Sequence, residues 1–355
     1  MPRLEHWYYV NSFLGTLPPR YKGLSLVEVY QDLDACWRLY MGYYTENAVK
    51  VTYKGDVKIR GHVGVTYGEP TSRVGKTVIT FIETPIGSLR QIEKWGEWGF
   101  SSRIVEYPIK NVEDFKIMSY VLENMHVSFN YEIYEKLKSN LKAQGMIWYF
   151  FPRTPFQRLL IDYVGIERTI KLLFRHTRET ESFMEVIERS DDQFYEVLGE
   201  SPIKILNFGD NIDARITSPK LFKKYCLPYY QKRSDYLHKK GKFVHCHVDG
   251  YAKPLLPFFK ETGWDGVEAL TPKPVGDITL EEIKEALGDE MILLDGIPYI
   301  YFLANVSYEK FKEFVRKILS IFSENLILGI SDELPPVGDI ERVKAVSRML
   351  KESNF

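Results

Sequence analysis

From about residue 203 onward, short β-rich apolar runs alternate with stretches whose apolar residues recur at helical spacing, and Gly, Pro or Asp mark the joins. Five such units begin at Ile203 (IKILNFG), Lys242 (KFVHCH), Asp265 (DGVEAL), Met291 (MILLDG) and Asn325 (NLILGIS). The longest helix is predicted over 218–239, opening on Ser218 as N-cap and Pro219 in the first turn. Another starts at Thr279, where Glu282 completes a capping box; a third starts near Ser307, followed by the helical spacing Phe311, Phe314, Val315, Ile318. Repeated strand-then-helix units imply parallel strands joined by right-handed crossovers.

The N-terminal half is less regular. A helical pattern over about 25–40 is followed, over 49–92, by alternating β-type residues broken at Gly55-Asp56, Gly68 and Gly75, which reads as antiparallel hairpins. Helical spacing returns over 112–123, 131–143, 157–164, 166–175 and 180–198, interrupted by one strand at 146–151. No low-complexity segment, flexible linker or fixed-period repeat divides the chain. The fold expected is α/β: a single (β/α)8 TIM-like barrel domain over 1–355, with a helical and antiparallel β elaboration within 1–110.

Charge and cysteine content narrow the classes. Forty-seven basic and 48 acidic residues are interspersed without a polybasic run, so no nucleic-acid or anionic-lipid footprint is expected. The three cysteines, Cys36, Cys226 and Cys246, form no CxxC pair and no disulfide framework. The opening residues lack a basic segment followed by an apolar one, and no apolar run reaches the ~18 residues of a spanning helix. A cytoplasmic chain with no membrane partner is expected.

Candidate chemistry follows from where the polar residues fall. Asp210, Asn211, His247, Asp249, Glu268, Asp295, Asp332 and Glu333 all lie at or just past the C-terminal end of a predicted strand, where barrel active sites are built. Helix capping is the plain alternative for any one of them, but Asp210 is too far ahead of Pro219 to cap that helix. His245, His247 and Asp249 are spaced by two, so a strand through all three places them on one face and Cys246 on the other. Two imidazoles and a carboxylate on one face suit a shared metal, with a hydrogen-bonded core histidine pair as the alternative. A non-haem iron triad would need a further distal histidine, and none follows His247. Tyr299 and Tyr301, in the irregular stretch after Asp295, are the aromatic residues best placed to contact a ring-shaped ligand. Dinucleotide, P-loop and GxSxG signatures are absent.

The segments FGDN, SPKLFKKYCLPYYQKRSDYLHKKGKFVHCHVDGYAKPLLPFFKETGWDGVEAL and LGISDELPPVGDIERV resemble the uroporphyrinogen decarboxylase superfamily. The likeness covers about residues 207–350 and is weaker from TPIGSL onward. It looks closer to the corrinoid and cobalamin-dependent methyltransferase branch, because the decarboxylases' N-terminal Arg-Gln-Ala-Gly-Arg loop has no counterpart in HWYYVNSFLGTLPPRYKG. That branch carries a zinc motif of His-x-Cys-Gly and a distant Cys before Pro-Pro. The resemblance puts His247 on the histidine, Asp249 on the first cysteine and Asp332 on the second, so carboxylates stand where both thiolates would. It implies a divalent transition metal, zinc first, with iron or manganese suited to the harder donors. It also implies a small-molecule substrate, a corrinoid on a partner protein or free cobalamin, and a homodimer. Methyl transfer is the leading expectation. Decarboxylation of a small carboxylic acid or porphyrinogen, with Arg153 or Arg215 holding the carboxylate, is the alternative, and a non-catalytic small-molecule-binding barrel the second.

Overall fold

The computed structural model describes residues 18–42, 45–61, 75–96, 102–142, 144–322, 324–335 and 337–352. The chain divides into two compact units, each assembled from separate stretches: Met1–Tyr40, Glu135–Phe150 and Ile203–Phe355 in the first, Met41–Tyr134 and Phe151–Pro202 in the second.

Seven strands carry the first unit: β1 (Trp37–Tyr40), β2 (Gly145–Phe151), β3 (Ile205–Phe208), β4 (Phe243–His247), β5 (Gly266–Glu268), β6 (Ile292–Pro298) and β7 (Leu326–Ser331). They lie side by side in chain order, and the pairs β1–β2, β3–β4, β4–β5, β5–β6 and β6–β7 are all parallel. The five C-terminal strands form where the apolar runs lie. Each run is too short for a stable helix and is bounded by residues that turn the chain, so a strand buried on both faces is the arrangement open to it.

The sheet is curled. Tyr40 at the end of β1 and Glu268 at the end of β5 are four strands apart, roughly 19 Å across a flat sheet at about 4.8 Å per step. Yet the Tyr40 hydroxyl donates to Glu268 Oε2 at 2.9 Å, which requires the strands to bend round a common interior. The helix after β7 (Ile340–Glu352) in turn packs against the helix before β1 (Leu26–Leu33). There the Ser347 hydroxyl donates to the Leu33 carbonyl at 2.9 Å, and Lys344 pairs with Asp32 at 3.0 Å. Among the described residues no strand pairing joins β7 to β1, so the architecture is a curled α/β sheet of seven parallel strands resembling a TIM barrel, one strand short of the eight expected.

Local chemistry accounts for most helix starts. Thr279 and Glu282 form the reciprocal capping box ahead of Leu280–Leu287, and the Ser307 hydroxyl accepts from the Lys310 N–H ahead of Tyr308–Ile321. Pro219 opens the helix after β3, whereas the Ser218 side chain makes no cap bond. That helix passes through a π-helical turn at Phe222–Cys226 before Leu227–Lys239. The helix expected over 25–40 stops at Leu33, because Asp34 adopts a left-handed conformation (φ 56°) that terminates it. Trp37–Tyr40 then becomes β1.

The second unit holds the antiparallel strands. Val49–Tyr53 pairs with Met125–Phe129, while Lys58–Arg60, Thr77–Thr84, Gly87–Trp95 and Ser102–Glu106 form a four-stranded meander. Gly55-Asp56 therefore links two sheets rather than closing a hairpin, and Gly68 lies outside the described residues. The helix Thr177–Glu200 buries Phe183, Ile187 and Phe194, and its Asp191 receives Arg158 in a buried ion pair at 2.8 Å. Among the described residues no helix is long and apolar enough to cross a membrane.

The capping box sets a pH dependence. Glu282 accepts from the Lys253 ammonium at 2.5 Å and from the Thr279 N–H at 2.8 Å, which lowers its pKa from 4.5 to about 2. An acid held below its unfolded value stabilises the fold above that value, and the contribution is lost as pH falls from 4.5 through about 2. Glu282→Gln is expected to lower the thermal midpoint at pH 7, with the gap to wild type closing as the pH is taken down through that window; circular dichroism melts at a series of pH values measure it.

Candidate functional site

Strand register decides which side chains meet inside the curled sheet. Tyr40 is level with Trp148, His245 with Asn207, and His247 with Glu268, and residues level with one another on parallel strands share a face. Arg38 and Tyr40, two apart on β1, also share one. The result is a buried polar layer centred on Glu268, itself 1% exposed. Its carboxylate accepts from the Tyr40 hydroxyl at 2.9 Å and from the Asn207 side-chain amide, and pairs with the Arg38 guanidinium. His245 Nε2 lies 3.3 Å from Glu268 Oε2 and 3.3 Å from the Tyr40 hydroxyl. Asn207 also donates to the Tyr40 hydroxyl at 2.8 Å. Aromatic rings close the layer. The Arg38 guanidinium carbon sits 4.7 Å from the Tyr40 ring centroid and 4.9 Å from that of Trp148, and Tyr40 stacks on Phe150 at 3.9 Å.

His247 connects this layer to the open end of the strands. Its Nδ1 faces Glu268 Oε2 at 3.5 Å, and its Nε2 faces Asp332 Oδ2 at 4.0 Å. Ligand atoms of His247, Asp249 and Asp332 all lie within 4.8 Å of one another. Three donors bonding one zinc ion at about 2.0–2.2 Å stand roughly 3.3–3.8 Å from one another, so the widest of these gaps must close by about 1 Å for the side chains to share an ion. One imidazole and two carboxylates fit a divalent zinc, iron or manganese ion. Asp249 is exposed, but desolvation by the surrounding protein, and then the carboxylates of Asp213 and Glu333, raise its pKa above 3.8. Glu333 follows Asp332 on the same half-buried rim.

His245 shares the inward face with His247, and Cys246 takes the opposite one, where its thiol lies 4.0 Å from the Tyr230 hydroxyl. The strand ends at His247, so Asp249 reaches the trio from the loop. His245 is not in the trio; it is held by Glu268 and by the edge of the Trp148 ring at 4.8 Å.

The remaining sequence candidates are scattered. Asp210 is fully buried on the side of Cys246, with Tyr230 donating to its carboxylate. Burial and then Asp210 push the Tyr230 and Cys246 pKa values well up, which marks a closed packing layer between sheet and helix. Asn211 is exposed at φ 50°. Asp295 is fully buried at φ 82° and accepts from the Ala269 N–H at 3.3 Å, tying β6 to the turn after β5. Arg153, in the second unit, pairs with Asp162 at 3.1 Å. Arg215 pairs with Asp213 and lies 4.1 Å over the Tyr251 ring. Tyr299 is 36% exposed, and Tyr301 stacks on Phe314 at 4.3 Å.

Three members of the buried layer escape sequence reasoning: Arg38, Tyr40 and Asn207. Their signal is a polar residue inside a β-prone run, Trp-Arg-Leu-Tyr in one case and Ile-Leu-Asn-Phe in the other. In the first, the helical spacing upstream masks it.

Comparison with known proteins gives this geometry a family. No match is found among curated proteins. Among solved structures the chain is similar to a methyltransferase from Methanosarcina mazei, at 14% identity over 72% of this chain and 73% of that one, with a TM-score of 0.54. It is also similar, at a TM-score of 0.31, to a type I 3-dehydroquinate dehydratase from Clostridium difficile, at 12% identity over 68% of this chain and 78% of that one. At such identity the likeness to the methyltransferase is one of fold. The family model of uroporphyrinogen decarboxylase (URO-D) matches residues 101–353, more than two thirds of the chain, and takes in β2 to β7 with Asn207, both inward histidines, Glu268 and Asp332. The chain therefore belongs to the uroporphyrinogen decarboxylase (URO-D) family.

Proposed function

We propose that this protein is a URO-D-like methyltransferase that moves a methyl group between a small molecule and a corrinoid, using a divalent metal held by His247, Asp249 and Asp332. The observation that carries the reading is the convergence of those three ligand atoms, from two separate strand ends, at the rim of the sheet. The methyltransferase from Methanosarcina mazei, similar in fold, adds support.

The residues divide the work by position. His247 presents Nε2 to the rim with Glu268 behind it, and Asp249 and Asp332 supply the two anionic donors. A bound divalent metal supplies Lewis acidity toward the oxygen or nitrogen from which a methyl group leaves. A corrinoid, on a partner protein or as free cobalamin, supplies the methyl carrier. Glu333, next to Asp332 in the chain, would hold or deliver the proton that the leaving atom needs once the methyl has gone. The buried rings of Tyr40 and Trp148, with the half-buried Phe150 stacked on Tyr40, would keep water from beneath the site.

Membership of the family keeps decarboxylation as the second reading. It has less support from the side chains, because Arg153 and Arg215, the groups that would clamp a carboxylate, are occupied by Asp162 and Asp213.

Elemental analysis of protein purified without added metal is expected to find about one transition-metal equivalent per chain, lost in His247→Ala and weakened in Asp332→Ala. Cys246→Ser, altering the far side of β4, should leave metal content unchanged. Metal-free wild type that resists reconstitution would sink the metal reading. With substrate and methylcobalamin or a corrinoid protein, the visible spectrum of the corrinoid should change; carbon dioxide release without corrinoid would establish the lyase instead, and neither outcome would leave a binder.

The crowded carboxylates carry a signed stability effect. An acid whose pKa is raised in the fold destabilises it wherever the group is ionised, and the cost appears as pH rises from 3.8 through the raised value. Asp249→Asn should raise the melting temperature of metal-free protein at pH 7, and the gain should vanish below pH 3.8. An unchanged melting temperature at pH 7 would contradict it.

A further inference from the structure

We infer that Glu268 and Arg38 are positioning residues for the metal site: Arg38 anchors the Glu268 carboxylate, and that carboxylate orients His247 so that Nε2 and not Nδ1 faces Asp249 and Asp332. The inference rests on the metal reading above and goes beyond it, because neither residue touches the rim.

An imidazole turned by half a rotation about its Cβ–Cγ bond presents a different edge, and a metal site needs one orientation. The partner of the inner nitrogen sets the choice. In this chain the carboxylate beside that nitrogen is Glu268, at an ion-pair distance of 3.5 Å from Nδ1 that a small shift would turn into a hydrogen bond, while Nε2 stands 4.0 Å from Asp332. Glu268 has no freedom to wander: Tyr40 from β1, Asn207 from β3 and Arg38 from β1 all engage its carboxylate. Arg38 is fixed in its turn in the corner made by the rings of Tyr40 and Trp148, which stand nearly perpendicular, its guanidinium carbon 4.7 and 4.9 Å from their centroids. A guanidinium can keep such ring contact while its N–H groups reach the carboxylate, which the point charge of a lysine does less well.

Stability does not explain the arrangement. A buried ion pair loses so much hydration that well-packed apolar residues of similar volume do as well or better. Both side chains of this pair are 1% exposed, and a charged pair kept so deep suggests that something needs the carboxylate where it is. His247 is the neighbour that joins it to the rim.

Cobalt titration of metal-stripped full-length protein tests this without an activity assay. Circular dichroism checks the fold, and the visible cobalt bands report affinity and ligand geometry. Glu268→Ala is expected to weaken Co²⁺ binding by about 10–100-fold and to alter the bands. Glu268→Gln, which keeps an acceptor oxygen, should recover most of the affinity. Arg38→Met alone strands a buried carboxylate, so the anchor is tested as Arg38→Met/Glu268→Gln. That double variant should bind several-fold more weakly than Glu268→Gln, following the usual scale for outer-sphere partners. A folded Glu268→Ala with wild-type affinity and bands overturns the positioning role and leaves the metal site standing. Should Glu268→Ala not fold, equal affinity in Glu268→Gln and the double variant overturns the anchoring by Arg38. Wild type that binds no cobalt overturns both this inference and the metal reading.

Discussion

The first unit depends on one carboxylate. Glu268 sits inside the curled sheet, and the groups that satisfy it come from β1 and β3 and lie beside both inward histidines of β4. An ionised carboxylate without partners cannot stay in such an interior, because the lost hydration amounts to several kcal/mol even after relaxation. Its partners are therefore obligatory, and they can reach it only if the sheet bends. Polar satisfaction and curvature are thus a single constraint. The apolar packing around it, Phe150 on Tyr40 and Trp148 against His245, supplies favourable contact that the ion pair does not.

From this layer outward, polarity changes with height along the strands. At the level of Glu268 every charge is compensated within the protein. His247, level with Glu268, is still buried, but beyond the strand ends Asp332 is about one third exposed and Asp249 is open. Negative charge accumulates there, from Asp213, Asp249, Asp332 and Glu333, faster than Arg215 offsets it. Mutual repulsion among these groups is a standing destabilisation, which a bound cation would relieve. On the other side of the sheet, Asp210, Tyr230 and Cys246 show the opposite solution: complete burial, with Tyr230 bonded to the carboxylate and no path to solvent. Two aspartates after strand ends thus serve different purposes, one in a packing layer and one at a candidate ligand site.

That difference explains how far the sequence could be read. Strands β3 to β7 were legible because each is a compact apolar run between turn residues, and the two-residue period put His245 and His247 on one face and Cys246 on the other. The trio of His247, Asp249 and Asp332 was proposed from sequence by resemblance, and the structure brings their ligand atoms together. Asp210 was not legible, because position at a strand end says nothing about which face the next loop residue takes; Tyr230, twenty residues on, decides that. Nor was β1. Its four residues follow a helix whose spacing runs smoothly into them, and the left-handed turn at Asp34 that separates the two leaves no mark that a single sequence displays. Arg38 and Tyr40 were hidden with the strand that carries them, although a charged residue between Trp37 and Leu39 is costly anywhere in a core and was the clue available.

On the proposed reading, the exchange of two thiolates for Asp249 and Asp332 keeps the electrostatics of the site and changes its chemistry. Two carboxylates bring the same formal charge as two thiolates, so a divalent ion is neutralised equally well. Oxygen donors are harder and release less electron density to the ion than sulfur does. An ion bound this way keeps more of its Lewis acidity, which suits it to pulling on an oxygen or nitrogen leaving group more than to activating a thiol. The carboxylate behind His247 works in the other direction, since an anion beyond the imidazole raises its basicity as a ligand. Glu268, held by Arg38, would thus return through the histidine part of the donation that the missing sulfurs withhold.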